Sequence, residues 1–185
     1  MIKFEKVSFS YGKRKVLQNF DLDIKKGYRI CLCGESGVGK TTVLRLIMGL
    51  EKEQSGKIEV EKDAKISAVF QEDRLLPFKT VLENLTLFGK TQMAEEILNE
   101  LGLITIKDKY PKELSGGMAR RVSIARALTA GGDIFIFDEP FNGIDDDNVK
   151  ITADLINKYT KAKTVIMVSH NRRDMLLLGA TEFKM

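Results

Sequence analysis

The sequence predicts an α/β fold with a mostly parallel sheet, a small antiparallel β lobe at the N-terminus and an inserted α-helical segment. Three observations carry this expectation. A short buried strand at 28–33 and continuously apolar runs at 134–137 and 164–168 have the character of parallel strands buried on both faces. The first of these strands passes through a glycine-rich turn into an amphipathic stretch, 40–50, that reads as a helix. Helical patterning then dominates 72–130, between the outer β segments.

In chain order, residues 2–11 alternate as a strand, first Ile2 and Phe4, then Val7, Phe9 and Tyr11. Phe20, Leu22 and Ile24 alternate against Asp21, Asp23 and Lys25 as a second half-exposed strand. Lys26-Gly27 turns into the 28–33 run, and short strands follow at 56–60 and 65–70, the latter leading into Gln71. Helices are expected over 80–89 and 91–101, with Gly102 stopping the second. Ser115 is suited to cap a helix over 116–130 that Gly131-Gly132 closes. Asp145-Asp146-Asp147 fits a helix N-terminus leading into Ile151, Leu155 and Ile156. One domain over 1–185 is expected, with the core and β lobe at about 1–71 and 131–185, a helical subdomain at about 72–130, and no appended regulatory domain.

Bulk properties are those of a globular chain, with 43% hydrophobic and 30% charged residues and a formal net charge of +4. The clusters Lys13-Arg14-Lys15 and Arg172-Arg173 read as solvated faces, and no aromatic residues interleave with them, which argues against a nucleic-acid partner. Cys31 and Cys33, at i and i+2 of a strand, share one face as small apolar groups, and two thiols alone do not close a structural zinc site. A reducing compartment is expected. The first residues show no signal-peptide pattern and no run is long enough to span a membrane, so work at a membrane would require a partner to hold the chain there.

The chemistry concentrates at the ends of the apolar runs. Gly34, Glu35, Ser36, Gly37, Val38, Gly39, Lys40, Thr41 and Thr42 form a glycine-rich turn before a helix. Its glycines let successive N–H groups face one anion, the helix N-terminus adds positive potential, Lys40 reaches the β- and γ-phosphates, and the Thr41 hydroxyl suits Mg²⁺. Asp138 and Glu139 end the 134–137 run; beside a phosphate loop, one carboxylate suits the magnesium shell and the other a reacting water. Without that loop they would read as solvated acids before Pro140. His170, the only histidine, follows the 164–168 run and suits a γ-phosphate contact, and the Gln71 amide could ligate Mg²⁺ or bind the attacking water. Ser115, Gly116 and Gly117 make a second helix N-terminus shaped for an anion. Since one triphosphate already has its cradle, this second site suggests a surface that meets another subunit's nucleotide.

Together these residues resemble the ATPase subunit of ATP-binding cassette (ABC) transporters over essentially the whole chain. GESGVGKT is similar to the Walker A motif, IFIFDE to Walker B with its catalytic glutamate, and LSGG to the family signature. Gln71 matches the Q-loop, His170 the switch histidine, Asp145 the D-loop aspartate, and Tyr11 the aromatic that stacks on adenine. The resemblance implies a P-loop NTPase core, ATP with Mg²⁺, and a nucleotide-sandwich dimer with a second copy or a paralogous ABC subunit. It also implies integral membrane permease subunits, and hence a peripheral place on the cytoplasmic side of the cell membrane. Residues 71–85 are similar to importers of nitrate, sulfonate and taurine type. Departures are Met118 in place of the usual glutamine, Asn142-Gly143 before Asp145, and Phe78 where that group tends to have tryptophan. The alternative from another class is an ATP-dependent regulatory or scaffolding ABC module of a membrane-associated complex, such as one serving cell division. Glu139 speaks against a switch that never hydrolyses.

Overall fold

The computed structural model describes residues 1–185. Strands β1 (Ile2–Tyr11), β2 (Arg14–Ile24) and β4 (Ser55–Val60) form an antiparallel sheet in the order β2-β1-β4. Strands β5 (Ile66–Val69), β6 (Ile134–Asp138), β7 (Thr164–Val168), β3 (Arg29–Cys33) and β8 (Thr181–Lys184) form a second sheet in that spatial order, parallel throughout. Between β5 and β6 run the helices α2 (Val81–Thr86), α3 (Thr91–Glu100) and α4 (Gly116–Ala130), while α1 (Lys40–Ile47), α5 (Asp146–Tyr159) and α6 (Arg172–Leu177) follow β3, β6 and β7.

Alternation along the parallel strands divides the interior in two. Cys31, Phe135, Phe137, Val165 and Met167 face a core shared with α2–α5. Ile30, Leu32, Ile134, Ile136, Ile166 and Val168 face the other core, shared with α1 and the antiparallel lobe. Burying each such side chain contributes about 1.5–3 kcal/mol, which accounts for the continuous apolarity of these strands.

Several boundaries differ from the sequence expectation, each for a local reason. The phase change between Phe4 and Val7 is a bulge at Lys6, whose backbone is left-handed (φ 48°). β2 starts at Arg14, where the two-residue Gly12-Lys13 loop pairs it with Tyr11, and the charged, exposed Arg14 and Lys15 hide the alternation there. The first helix ends at Ile47 and not Leu50: Gly49 is left-handed, and the N–H groups of Gly49 and Leu50 donate to the carbonyls of Leu46 and Arg45. The same closure at Gly102 ends α3 as expected. α2 spans only Val81–Thr86, fixed by a Thr80–Glu83 capping box. A Cβ on Gly89 would lie 2.4 Å from the Thr129 carbonyl, so the chain beyond α2 passes hard against α4. Asp145 caps α5 through Asn148, and Leu155 and Ile156 are buried, but Ile151 faces solvent (44% exposed) and does not join the core. The strand β8 carries no apolar run, and the helix α6, capped by Asn171 and closed at the left-handed Gly179, is too short for its Met175–Leu177 stretch to show helical periodicity.

Candidate active site

Register explains why the predicted residues meet. Leu32, Val168 and Asp138 lie in one row across β3, β7 and β6. The loops leaving these neighbouring strands therefore start at the same level, placing the phosphate loop, His170 and Glu139 along one carboxyl edge. Gln71 follows β5 at that same edge, where ligands of open parallel sheets bind.

The phosphate loop curls back on itself. Gly37 (φ 80°) and Gly39 (φ 117°) hold backbone that side-chain-bearing residues rarely adopt, and a Cβ on Gly39 would lie 3.0 Å from Val16 Cγ1. Lys40, 7% exposed, opens α1 and folds its ammonium over the loop, donating to the carbonyls of Gly34 (2.8 Å) and Glu35 (2.9 Å). A cavity of about 490 Å³ opens beside it. Ser36, Gly37, Gly39, Lys40, Thr41 and Thr42 of the loop and helix line it together with Tyr11, Gln71, Asp138, Glu139 and His170. Gly34, Glu35 and Val38 shape the loop without facing this cavity.

Two pairs define its floor. The Thr41 hydroxyl donates to Asp138 Oδ2 at 3.4 Å, bringing together two hard oxygen donors of the kind Mg²⁺ prefers. Asp138 is buried, and desolvation pushes its carboxyl up against the smaller opposing effects of Thr41, Arg120 and Lys40. Glu139 Oε1 lies 3.4 Å from His170 Nε2 in a geometry that is not a hydrogen bond, so this buried oxygen has no hydrogen-bond partner. Burial raises the Glu139 pKa above the ordinary carboxylate value, and the nearby His170 opposes the rise. An unpaired, desolvated carboxylate oxygen beside the cavity suits a proton acceptor for a bound water.

The signature residues lie elsewhere. Ser115 accepts from the Met118 N–H at 3.2 Å and caps α4 as expected, and neither Ser115, Gly116 nor Gly117 lines the phosphate cavity. The two glycines have different reasons. A Cβ on Gly117 would come within 2.7 Å of the Gly143 carbonyl, so this glycine serves close packing, while Gly116 faces open space. Met118 packs against the helical core.

Arg14, Val16 and Asn142 also line the cavity. The reading of Lys13-Arg14-Lys15 as a purely solvated face is corrected for Arg14, whose Nη2 reaches the Gly37 carbonyl at 3.5 Å. Nothing in the linear pattern separates Arg14 from its neighbours, because only the β1–β2 hairpin aims it at the loop. Cys31 and Cys33 do share a face, with their sulfurs 3.5 Å apart, and burial pushes the Cys31 thiol up to about 12, keeping it neutral.

Comparison with known proteins agrees with this geometry. The profile of the family described as ABC transporter matches residues 17–142. The aliphatic sulfonates import ATP-binding protein SsuB of Corynebacterium glutamicum is 39% identical, over 92% of this chain and 74% of its own length. The arginine transport ATP-binding protein ArtM of Bacillus subtilis is 36% identical, over 92% of this chain and 81% of its own. A second SsuB, from Burkholderia lata, is 36% identical, and the chain spans only 57% of it. Among solved structures, the ATP-binding cassette MJ0796, a dimer in a post-hydrolysis state bound to ADP and Pi, superposes with a TM-score of 0.85 at 29% identity, over 96% of this chain and 91% of that one.

Proposed function

The chain belongs to the ABC transporter family as one of its ATP-binding subunits, and on that premise we propose how its residues bind and cleave ATP. The N–H groups of the 34–39 loop and the N-terminus of α1 receive the phosphates. Lys40 turns from the carbonyls of Gly34 and Glu35 onto the β- and γ-phosphate oxygens. Tyr11 stacks on adenine, with Val16 extending the apolar contact. Thr41, Asp138 and Gln71 would hold Mg²⁺, which when bound neutralises charge between the terminal phosphates. Glu139 accepts the proton of the attacking water, and His170 holds the γ-phosphate side of the site.

The signature residues fall outside the cavity, which supports a dimer in which Ser115 and Gly116 of one copy close over the nucleotide of the other. No helix is long and apolar enough to cross a membrane. The apolar residues after Gln71 divide as a docking surface requires: Leu75 packs against the helical core, while Leu76 and Phe78 are 42% and 91% exposed. We assign this surface to integral permease subunits, which place the chain at the cytoplasmic face of a membrane and, as in the sulfonate relatives, in an import system. The sulfonate and arginine relatives share this ATP-binding architecture and differ in cargo, so the cargo is selected by other subunits.

The observation that carries the reading is the buried, unpaired Glu139 oxygen in the cavity that Asp138 and Lys40 also line. Phosphate release from ATP by the purified chain with Mg²⁺ tests it: activity should be present and should disappear in Glu139→Gln, while a substituted protein with the parent rate would remove Glu139 from the reaction.

A further inference from the structure

Arg120, in the second turn of α4, is 3% exposed and uses its whole donor fork. Nη1 donates to the carbonyls of Phe70 and Gln71 (3.3 Å) and to Asp73 Oδ1 (3.3 Å). Nη2 donates to the carbonyls of Asp138 and Glu139, and Nε to that of Pro140 (3.2 Å). One planar guanidinium thus holds the backbone at both Gln71 and Glu139, the two side chains assigned above to Mg²⁺ and to the attacking water.

This exceeds what burying a cation requires. Asp73 is its only carboxylate partner and is itself partly exposed, while five of its six acceptors are main-chain carbonyls. Three of these, at positions 138–140, bracket a residue in strained backbone: Glu139 has a φ of 51°, in the left-handed region that residues with a side chain rarely occupy. Consecutive carbonyls turned toward one fork hold that turn in place. A lysine at this position, a single point donor, cannot bridge both loops. Arg120 also lies just beyond the Ser115–Gly117 cap on the same helix, so displacement of the cap by a nucleotide carries the guanidinium with it.

We propose that Arg120 is a positioning residue that joins the α4 N-terminus to this subunit's own Gln71 and Glu139, so that engagement of a nucleotide at the cap sets the catalytic carboxylate of the same chain. The inference rests on the reading of Glu139 as the proton acceptor. Arg120 touches no face of the cavity, so its loss changes the placement of reacting groups and leaves nucleotide affinity alone.

The test is Arg120→Lys and Arg120→Ala in the full chain, with folding followed by circular dichroism, affinity by titration with a fluorescent ATP analogue, and steady-state kcat and KM. Expected are nucleotide affinity and KM within about threefold of the parent, kcat lowered at least about tenfold in Arg120→Lys and further in Arg120→Ala, and partial recovery of Arg120→Ala by millimolar guanidinium but not by tetramethylammonium. The inference is overturned by a kcat within twofold of the parent in folded Arg120→Lys, by a loss confined to affinity or KM, or by failure of both variants to fold, which would make the arginine a core residue only. A parent chain that lacks ATPase activity would instead overturn the functional reading itself.

Discussion

His170 Nε2 lies 3.4 Å from Glu139 Oε1, close enough to stabilise the carboxylate yet too poorly aligned to occupy it with a hydrogen bond. Oε1 is thereby left without a hydrogen-bond partner. Burial raises its pKa and His170 opposes that rise, so His170→Ala should move the acidic limb of the residual kcat profile to higher pH. A profile that keeps its position while the rate drops would show that His170 acts only on the substrate.

The same burial makes a stability prediction. A carboxyl whose folded pKa lies above its unfolded value binds protons more readily when folded, so stability falls as pH rises between the two values and the full cost is present at neutral pH. Glu139→Gln should therefore raise Tm at neutral pH, with the gain shrinking as pH falls below the raised folded pKa. In the same variant, turnover should drop by roughly 10²–10⁴. Thermal melts across pH read the first effect and phosphate release the second.

Lys40→Ala should abolish tight ATP binding, measured by titration calorimetry. Lys40 also bonds to two carbonyls of its own loop, so a modest fall in stability, about 1–3 kcal/mol by analogy with other hydrogen bonds to charged groups, should accompany the loss. A folded variant with parent affinity would remove Lys40 from phosphate binding.

Ser115→Arg should leave ATP binding by the single chain intact and stop hydrolysis. Mixing it with Lys40→Ala should restore activity, because one composite site then combines an intact phosphate loop with an intact cap. Absence of recovery in verified mixed dimers would count against shared sites.

Phe78 projects almost wholly into solvent while Leu75 packs inside, so Phe78→Asp should cost little stability. Co-purification with the membrane partner should be lost and soluble ATPase activity kept. Retained co-purification would place the docking surface elsewhere.

Much of this architecture is legible in the sequence because strong constraints write themselves locally. The segments Ile30–Cys33, Ile134–Phe137 and Val165–Val168 are apolar because residues on both faces are buried, and Ser115 and Asp145 cap the helices their chemistry suits. β8 is not legible, since an edge strand of sequence TEFK with only Phe183 partly buried carries no periodic signal. Arg14 joins the site through the β1–β2 hairpin and Arg120 through the packing of α4 on two loops, relations fixed by tertiary structure and absent from any spacing. Gly117 carries a second constraint absent from the pattern: a Cβ there would come within 2.7 Å of the Gly143 carbonyl, so close packing requires a glycine beside any ligand contact.

The solution mass of Glu139→Gln with saturating ATP, measured by multi-angle light scattering, tests most directly whether a second subunit completes the site. A variant that binds ATP without cleaving it should accumulate as the closed pair, at twice the 20.8 kDa of the single chain, and return to the single chain when ATP is removed. A protein that has bound ATP and remains at the mass of one chain would contradict a site completed by a second subunit.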